Sequence, residues 1–95
     1  MDFDYNIWLD SKLGKPVTWT LSASKKSVSR NILESEVKEC ILYGHIRSTE
    51  QTSKGVKIIK EMNLHDPEYE LLVVVYLDLP DRFKIISNHL KRRKR

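Results

Sequence analysis

The chain has 95 residues, 40% of them hydrophobic and 32% charged, which is an ordinary composition for one small globular domain. Its longest apolar run, residues 71–77, is far shorter than the about 20 residues of a membrane-spanning helix, so we expect no membrane partner. The single cysteine, Cys40, excludes an internal disulfide, and the acidic N-terminus lacks the basic start of a signal peptide. Both features predict a cytoplasmic protein.

The positive charge is concentrated at the C-terminus. Seventeen Lys and Arg against 13 Asp and Glu give a net charge of +4, and residues 91–95 are all basic. Removing these five leaves 12 bases against 13 acids, a net charge of −1. We therefore predict one domain over 1–90, with an N-terminal extension at 1–15, and a basic tail at 91–95. Such a tail binds polyanions, nucleic acid first and an anionic membrane surface second, or it only aids solubility.

The first half of the chain predicts a strand and a short helix. Residues 12–16 are typical of a turn, and residues 17–21 are β-branched and aromatic, which favours a strand. Ser22 or Ser24 can cap a helix over 23–30. Asn31 is a suitable end, because Asn tolerates the left-handed conformation.

A second helix is predicted from apolar spacing. Leu33, Val37, Cys40 and Ile41 follow one another at helical intervals, which predicts a single buried stripe with Cys40 as a core thiol. Gly44 then ends the helix in the left-handed position that glycine favours.

After Gly44 the pattern changes to strands. Candidate strands cover 46–49, 56–60 with an extension towards 64, 69–77 and 83–87, separated by turns at 51–55, 65–68 and 78–81. The run at 69–77 is typical of a central strand buried on both faces. We predict an α+β fold in the order β-α-α-β-β-β, with two helices on one face of a mainly antiparallel sheet.

Several basic residues are candidate nucleic-acid contacts. No acid lies between Ser11 and Leu33, and Lys26 and Arg30 are four residues apart on one helix face. The predicted nucleic-acid-binding set is Lys25, Lys26, Arg30, Arg82, Lys84, Lys91, Arg92, Arg93, Lys94 and Arg95. If all five tail residues contact phosphates of duplex DNA, log K falls with log salt at a slope of about −4.5.

His89 is the candidate for proton transfer. It precedes the basic tail, and a histidine beside cations is suited to cleaving a phosphodiester bond, since its pKa lies near working pH. A structural role at the end of a strand is the alternative. No His, Cys or acidic residues show metal-ligand spacing, and no nucleotide-binding motif is present, so we expect no metal and no cofactor.

These residues also carry a resemblance. Ser22-Ala23, Arg30-Asn31-Ile32 and Gly44, followed by strands up to His89, resemble a family of small domains with a His-Ala pair, an Arg-Gly-Ile or Arg-Asn-Ile turn and a glycine-ended helix. That family is similar in plan to the RelE-type ribonuclease toxins, and the resemblance covers about residues 17 to 90. It implies an RNA-directed fold in which Arg30 and His89 are the catalytic candidates. Ser22 stands where the family has histidine, which favours binding over catalysis.

Three functions follow from these observations. The first is a small nucleic-acid-binding protein, with RNA ahead of DNA, that uses the tail and the first helix. The second is a metal-independent ribonuclease with His89 as acid or base and with Lys26, Arg30 and Arg82 at the phosphate. The third is a protein-interaction domain that pairs as a homodimer, or with a cognate protein, through an edge strand, which the last strand or residues 46–49 could supply.

Overall fold

The computed structural model describes residues 5–8, 13–64 and 69–92. It contains two helices, α1 (Leu21–Ser29) and α2 (Glu34–Tyr43). Six strands accompany them, namely β1 (Tyr5–Trp8), β2 (Val17–Trp19), β3 (His45–Gln51), β4 (Val56–Asn63), β5 (Tyr69–Asp78) and β6 (Phe83–Arg92). The α+β class, with a strand, two helices and then a run of strands, is confirmed. Neither helix of the described residues is long and apolar enough to cross a membrane.

The six strands form one sheet in the order β1-β2-β6-β5-β4-β3. All neighbours are antiparallel except β2 and β6, which are parallel, so the mainly antiparallel sheet is confirmed. Strand β1 lies within the N-terminal extension predicted at 1–15 and pairs with β2. The turn predicted at 65–68 lies outside the described residues.

Both helices pack on one face of the sheet. Cys40 of α2 lies with its Sγ 3.9 Å from the carbonyl oxygen of Leu72 in β5, and Lys60 of β4 donates to the carbonyl of Ile41. The buried cluster between helices and sheet contains Val17, Trp19, Ala23, Ile32, Val37, Cys40, Ile41, Leu72, Val74, Tyr76 and Ile85. Cys40 is therefore a core thiol as predicted, and its burial raises its pKa to about 12.

The central strand β5 is buried more strongly on one face than on the other. Leu72, Val74 and Tyr76 belong to the core beneath the helices. On the opposite face, which we call the outer face, Val73 is also buried, whereas Val75 is only half-buried. The prediction that this strand is buried on both faces is therefore correct at Val73 and only partly correct at Val75.

Helix α1 begins earlier than the sequence predicted. The strand ends at Trp19, and Thr20 is the N-cap, with its hydroxyl accepting from the N–H of Ala23 at 3.1 Å. Thr20 rather than Ser22 or Ser24 therefore starts the helix, because its backbone is extended and still bound to β6. The predicted end is correct: Asn31 has a φ of 54°, in the left-handed region.

One residue of the apolar stripe predicted for α2 is not buried. Val37, Cys40 and Ile41 are buried, but Leu33 is the N-cap and is 61% exposed. The side chain of Glu36 accepts from the N–H of Leu33 at 2.9 Å, which satisfies one of the free donors at the helix start.

Gly44 ends α2, but not for the conformational reason that we predicted. Its φ of −66° and ψ of 159° are extended rather than left-handed. A Cβ at this position would collide with the carbonyl oxygen of Cys40 and would lie 3.1 Å from the carbonyl oxygen of Glu61. Glycine is needed here because the backbones of α2 and β4 lie so close to residue 44 that they leave no room for a side chain.

We expect Gly44→Ala to lower the free energy of unfolding by about 1–3 kcal/mol, as is usual when atoms are forced into a packed site. Urea unfolding followed by circular dichroism measures this change. Ser35→Ala, an exposed position of α2, is the control and should change stability by no more than about 0.5 kcal/mol. Equal stability of the two variants would contradict the steric argument.

Candidate nucleic-acid interface

Strand β6 has a partner along only part of one edge. Strand β2 pairs with it over three residues, from Val17 opposite Phe83 to Trp19 opposite Ile85. Thr20 then makes the last backbone contact, with its N–H donating to the carbonyl of Ile85 at 3.0 Å, before the chain turns into α1. No described strand therefore pairs with the β2 side of β6 beyond that point. Its C-terminal half has a free strand edge.

Two basic side chains of α1 reach this free edge. The ammonium of Lys26 donates to the hydroxyl of Ser87 at 3.2 Å, and the guanidinium of Arg30 donates to the backbone carbonyl of Asn88 at 3.0 Å. Lys26 and Arg30 are four residues apart and share one helix face, so a single orientation of α1 directs both towards β6.

Asn88 fixes that orientation. It is fully buried, and its side-chain amide donates to the carbonyl of Ala23 at 3.1 Å, which ties the first turn of α1 to β6. Its Oδ1 has no hydrogen-bond partner among the described residues. Asn88 and Ser87 were missed as site residues, because a polar residue inside a strand shows its role only when the facing helix is known.

His89 projects from the outer face, where it lies opposite Val73 of β5. Its side chain is exposed, yet its pKa is lowered from 6.5, first by partial desolvation and then by the cations Arg30, Lys26, Arg47 and Lys91. The cations of α1 therefore act on His89 although they approach β6 from the helix side. The groups meet around the edge of the strand rather than inside one cleft.

The direction of the His89 shift has a consequence for stability. The folded protein binds this proton less readily than the unfolded chain does, because its pKa lies below 6.5. The stabilising contribution of neutral His89 is therefore present above about pH 6.5 and is lost as the pH falls below that value.

The basic tail begins inside the sheet. Lys91 and Arg92 are the last residues of β6 and pair with Leu71 and Tyr69 of β5. Strand β6 therefore ends five residues later than the predicted strand at 83–87, and the first two residues of the predicted tail at 91–95 belong to it. Arg93, Lys94 and Arg95 lie outside the described residues. We call Lys26, Arg30, His89, Lys91 and Arg92 the basic edge.

Three predicted contact residues do not join the basic edge. Arg82 precedes β6 and pairs with Asp81 at 3.1 Å, and seven residues of extended chain place it about 20 Å from His89. Lys84 lies opposite Leu77, near the same distant end of the strand. Lys25 is exposed on α1, and none of its contacts in the structure joins it to β6.

A separate cavity of about 220 Å³ lies beside the two helices. Its lining residues are Trp19, Ser24, Ser27, Val28, Ile32, Leu33 and Glu34, none of which belongs to the basic edge. In the part of the chain that the structure describes, no three His, Cys, Asp or Glu side chains are grouped to hold a metal ion. The chemistry available at the basic edge is therefore that of cations, one imidazole and backbone groups.

We expect Arg30→Gln to raise the pKa of His89 towards, but not fully to, 6.5, because it removes the foremost of the four cationic contributions and leaves the desolvation in place. The pH dependence of the His89 ring proton shifts in NMR spectra measures this. Lys54→Gln, an exposed cation in the turn between β3 and β4, is the control and should leave the titration unchanged. An unchanged titration in Arg30→Gln would show that the guanidinium does not lie near the imidazole.

Comparisons with known proteins give no relative. No protein-family model matches the chain, and neither the curated proteins nor the solved structures contain a significant match. The resemblance to RelE-type toxins therefore stays a prediction, and the function must be argued from the geometry of the basic edge.

Proposed function

We propose that this chain is a small nucleic-acid-binding protein that holds the phosphates of a single strand, RNA ahead of DNA, along the basic edge. The observation that carries the proposal is the meeting of two separate basic segments. Lys26 and Arg30 of α1 contact Ser87 and Asn88, immediately before the basic end of β6.

The shape of the basic edge suits an extended ligand. From Ser87 to Arg92 the strand advances by about 17 Å, at about 3.3 Å per residue, which is long enough for several successive phosphates. Cations stand on both sides of this line, because α1 lies on the helix side and Lys91, opposite Leu71, lies on the outer face. Lysine and arginine in such a row give affinity through the phosphate backbone with little dependence on base sequence.

Single strands fit this site better than duplexes. Both helices are packed on the sheet, so neither is free to enter a major groove. The free strand edge also presents backbone hydrogen-bonding groups and the Ser87 hydroxyl beside the cations. Such groups can bond to a ribose 2′-hydroxyl, which deoxyribose lacks. This supports RNA ahead of DNA.

We expect the double variant Lys26→Gln/Arg30→Gln to bind a single-stranded RNA oligomer at least about tenfold more weakly and to flatten the plot of log K against log salt by about 1.4, that is about 0.7 per lost phosphate contact. Fluorescence anisotropy of a labelled oligomer at several salt concentrations measures both. Lys54→Gln/Lys57→Gln removes the same charge from the distant β3–β4 hairpin and should have a smaller effect on affinity and on slope.

Two results would contradict the proposal. One is the absence of salt-dependent RNA binding by the unaltered protein. The other is an equal loss of affinity in both double variants, which would show that only total charge matters. Removing residues 93–95 separately measures what the remaining tail adds, since this truncation leaves β6 and the α1 contacts in place.

The closeness of His89 to Lys26 and Arg30 around the edge of β6 supports a second candidate, a metal-independent ribonuclease. A neutral imidazole can accept the proton of an attacking 2′-hydroxyl, and the cations can stabilise the charge on the phosphate. Binding is favoured over catalysis, because Lys26 and Arg30 reach β6 around its edge and already donate to Ser87 and to the carbonyl of Asn88. Among the described residues no carboxylate contributes to the lowering of the His89 pKa, so none of them is indicated as an acidic partner that would orient the ring.

Incubation of the purified protein with RNA in the presence of EDTA separates the two candidates. We expect the RNA to remain intact, because the groups do not converge in one cleft. Cleavage that resists EDTA, disappears in His89→Gln and fails on a 2′-deoxy substrate would instead establish the ribonuclease. His45→Gln is the control for the loss of an exposed histidine elsewhere.

A further inference from the structure

Strand β3 is the edge of the sheet opposite β1. It pairs with β4 on one side, and no described strand pairs with its other side. All seven of its residues are exposed. The strand contains neither lysine nor proline, the residues that most often protect a free edge from pairing. The backbone donors and acceptors on the side of β3 that faces away from β4 are therefore available to pair with another strand.

A β-bulge protects only the first part of this edge. Ile46 lies opposite Lys60 and Ser48 lies opposite Ile59, so Arg47 is an extra residue between two successive pairs. From Ser48 to Gln51 the pairing with β4 is regular. The regular segment is long enough to pair with one further strand.

The bulge also brings two opposite charges to one face. Glu50 lies opposite Lys57, on the outer face, and Arg47 extends to Glu61 of the same face, where its guanidinium lies 3.4 Å from the carboxylate. Without the extra residue, positions 47 and 50 would point to opposite faces. With it, Arg47 and Glu50 both stand on the outer face, on either side of Ser48.

Exposed apolar side chains stand near the start of the same edge. Ile46 is 62% exposed and points to the helix side, because it lies opposite Lys60. Tyr43, at the end of α2, is 68% exposed. These two side chains would lose contact with water if a second sheet continued beyond β3.

We propose that β3 pairs antiparallel with β3 of a second copy of this chain, with Thr49 on the two-fold axis. In this register Ser48 of each copy lies opposite Glu50 of the other, and Arg47 becomes the diagonal neighbour of the other copy's Glu50. The two-fold axis forms this oppositely charged pair twice.

Alternative registers are less favourable. Side chains that lie opposite each other in paired strands share a face of the sheet, and successive residues of one strand point to opposite faces. A two-fold axis perpendicular to the sheet keeps each residue on its own face. One residue must therefore lie opposite the same residue of the other copy. Centring the pair on Glu50 places two carboxylates opposite each other. Centring it on Ser48 makes both bulges part of the contact, and these disrupt a regular ladder. Among the centres Ser48, Thr49 and Glu50, charge and bulge together therefore favour Thr49.

The dimer leaves the basic edge uncovered. Strand β3 and strand β6 are separated by β4 and β5, so the two basic edges of a dimer lie far from the two-fold axis. The pairing is therefore independent of the proposed nucleic-acid function. If both hold, one dimer presents two phosphate-binding edges, and long RNA binds more tightly than a short oligomer.

Sedimentation velocity without nucleic acid tests the pairing. Over protein concentrations of about 1 µM to 1 mM, we expect the mass of the unaltered protein to move from 11.2 kDa towards twice that value. Arg47→Glu places a carboxylate against the other copy's Glu50, and Glu50→Arg places two guanidinium groups together. Each variant should therefore weaken self-association at least about tenfold, through the repulsion of like charges across a strand pair.

An equimolar mixture of the two variants is the decisive measurement. In the mixed pair, one copy carries glutamate at both positions and the other carries arginine, so both diagonal contacts become attractive. We expect the mixture to form a heterodimer, whereas Lys25→Glu and Glu39→Arg, which make the same charge changes at exposed positions of the helices, should dimerise as the unaltered protein does. Thermal unfolding by circular dichroism confirms that each variant is folded.

Three results would overturn the proposal. The first is a monomer at every concentration, which would leave the edge of β3 to a different protein. The second is unchanged dimerisation of both single variants, which would place the interface elsewhere. The third is failure of the mixed variants to associate.

Discussion

The short parallel pairing of β2 with β6 is the constraint on which the rest of the structure depends. It lasts for three residues and ends where Thr20 turns the chain into α1. Since β6 continues to Arg92, seven more residues extend beyond the last paired position, Ile85. Helix α1 covers the first part of this unpaired edge with hydrogen bonds from Lys26 and Arg30, and Asn88 holds it there from beneath.

This arrangement explains why charge gathers at the edge of β6. The carbonyls of an unpaired strand edge that a helix covers need donors, and long basic side chains supply them from that helix. The Arg30 guanidinium has five N–H donors and gives at least one of them to Asn88, which leaves others for a ligand. A side chain with a structural contact can thus also contribute to phosphate binding.

The sheet has two unlike edges. The free half of β6 is basic and partly covered by α1, whereas β3 is polar, carries both signs of charge and is fully exposed. We propose a polyanion as the ligand of the first edge and a strand of mixed charge as the partner of the second. The bulge at Arg47 restricts which strand can pair with β3, because it brings Arg47 to the same face as Glu50 while β3 stays paired with β4.

Much of the fold could be predicted from local patterns. The apolar spacing of Val37, Cys40 and Ile41 predicted α2, and the valine-rich run predicted β5. The errors lie where tertiary contacts overrule local preference. Thr20 rather than a serine caps α1 because β6 holds its backbone extended, and Gly44 is required by the closeness of Cys40 rather than by its own dihedral angles.

The sequence predicted that the candidate site contains lysine, arginine and histidine, but it did not predict which of these residues lie together. The sequence by itself determined the class of fold, the core stripe of α2 and the excess of cations at the C-terminus, because each depends on neighbours a few residues apart. Only the tertiary structure decided that Lys26 and Arg30 meet the end of β6, that Arg82 and Lys84 lie at its other end, and that Lys91 and Arg92 are strand rather than tail. The physical reason is that these contacts join segments about 60 residues apart, and their geometry depends on where β2 stops pairing and on how Asn88 anchors α1.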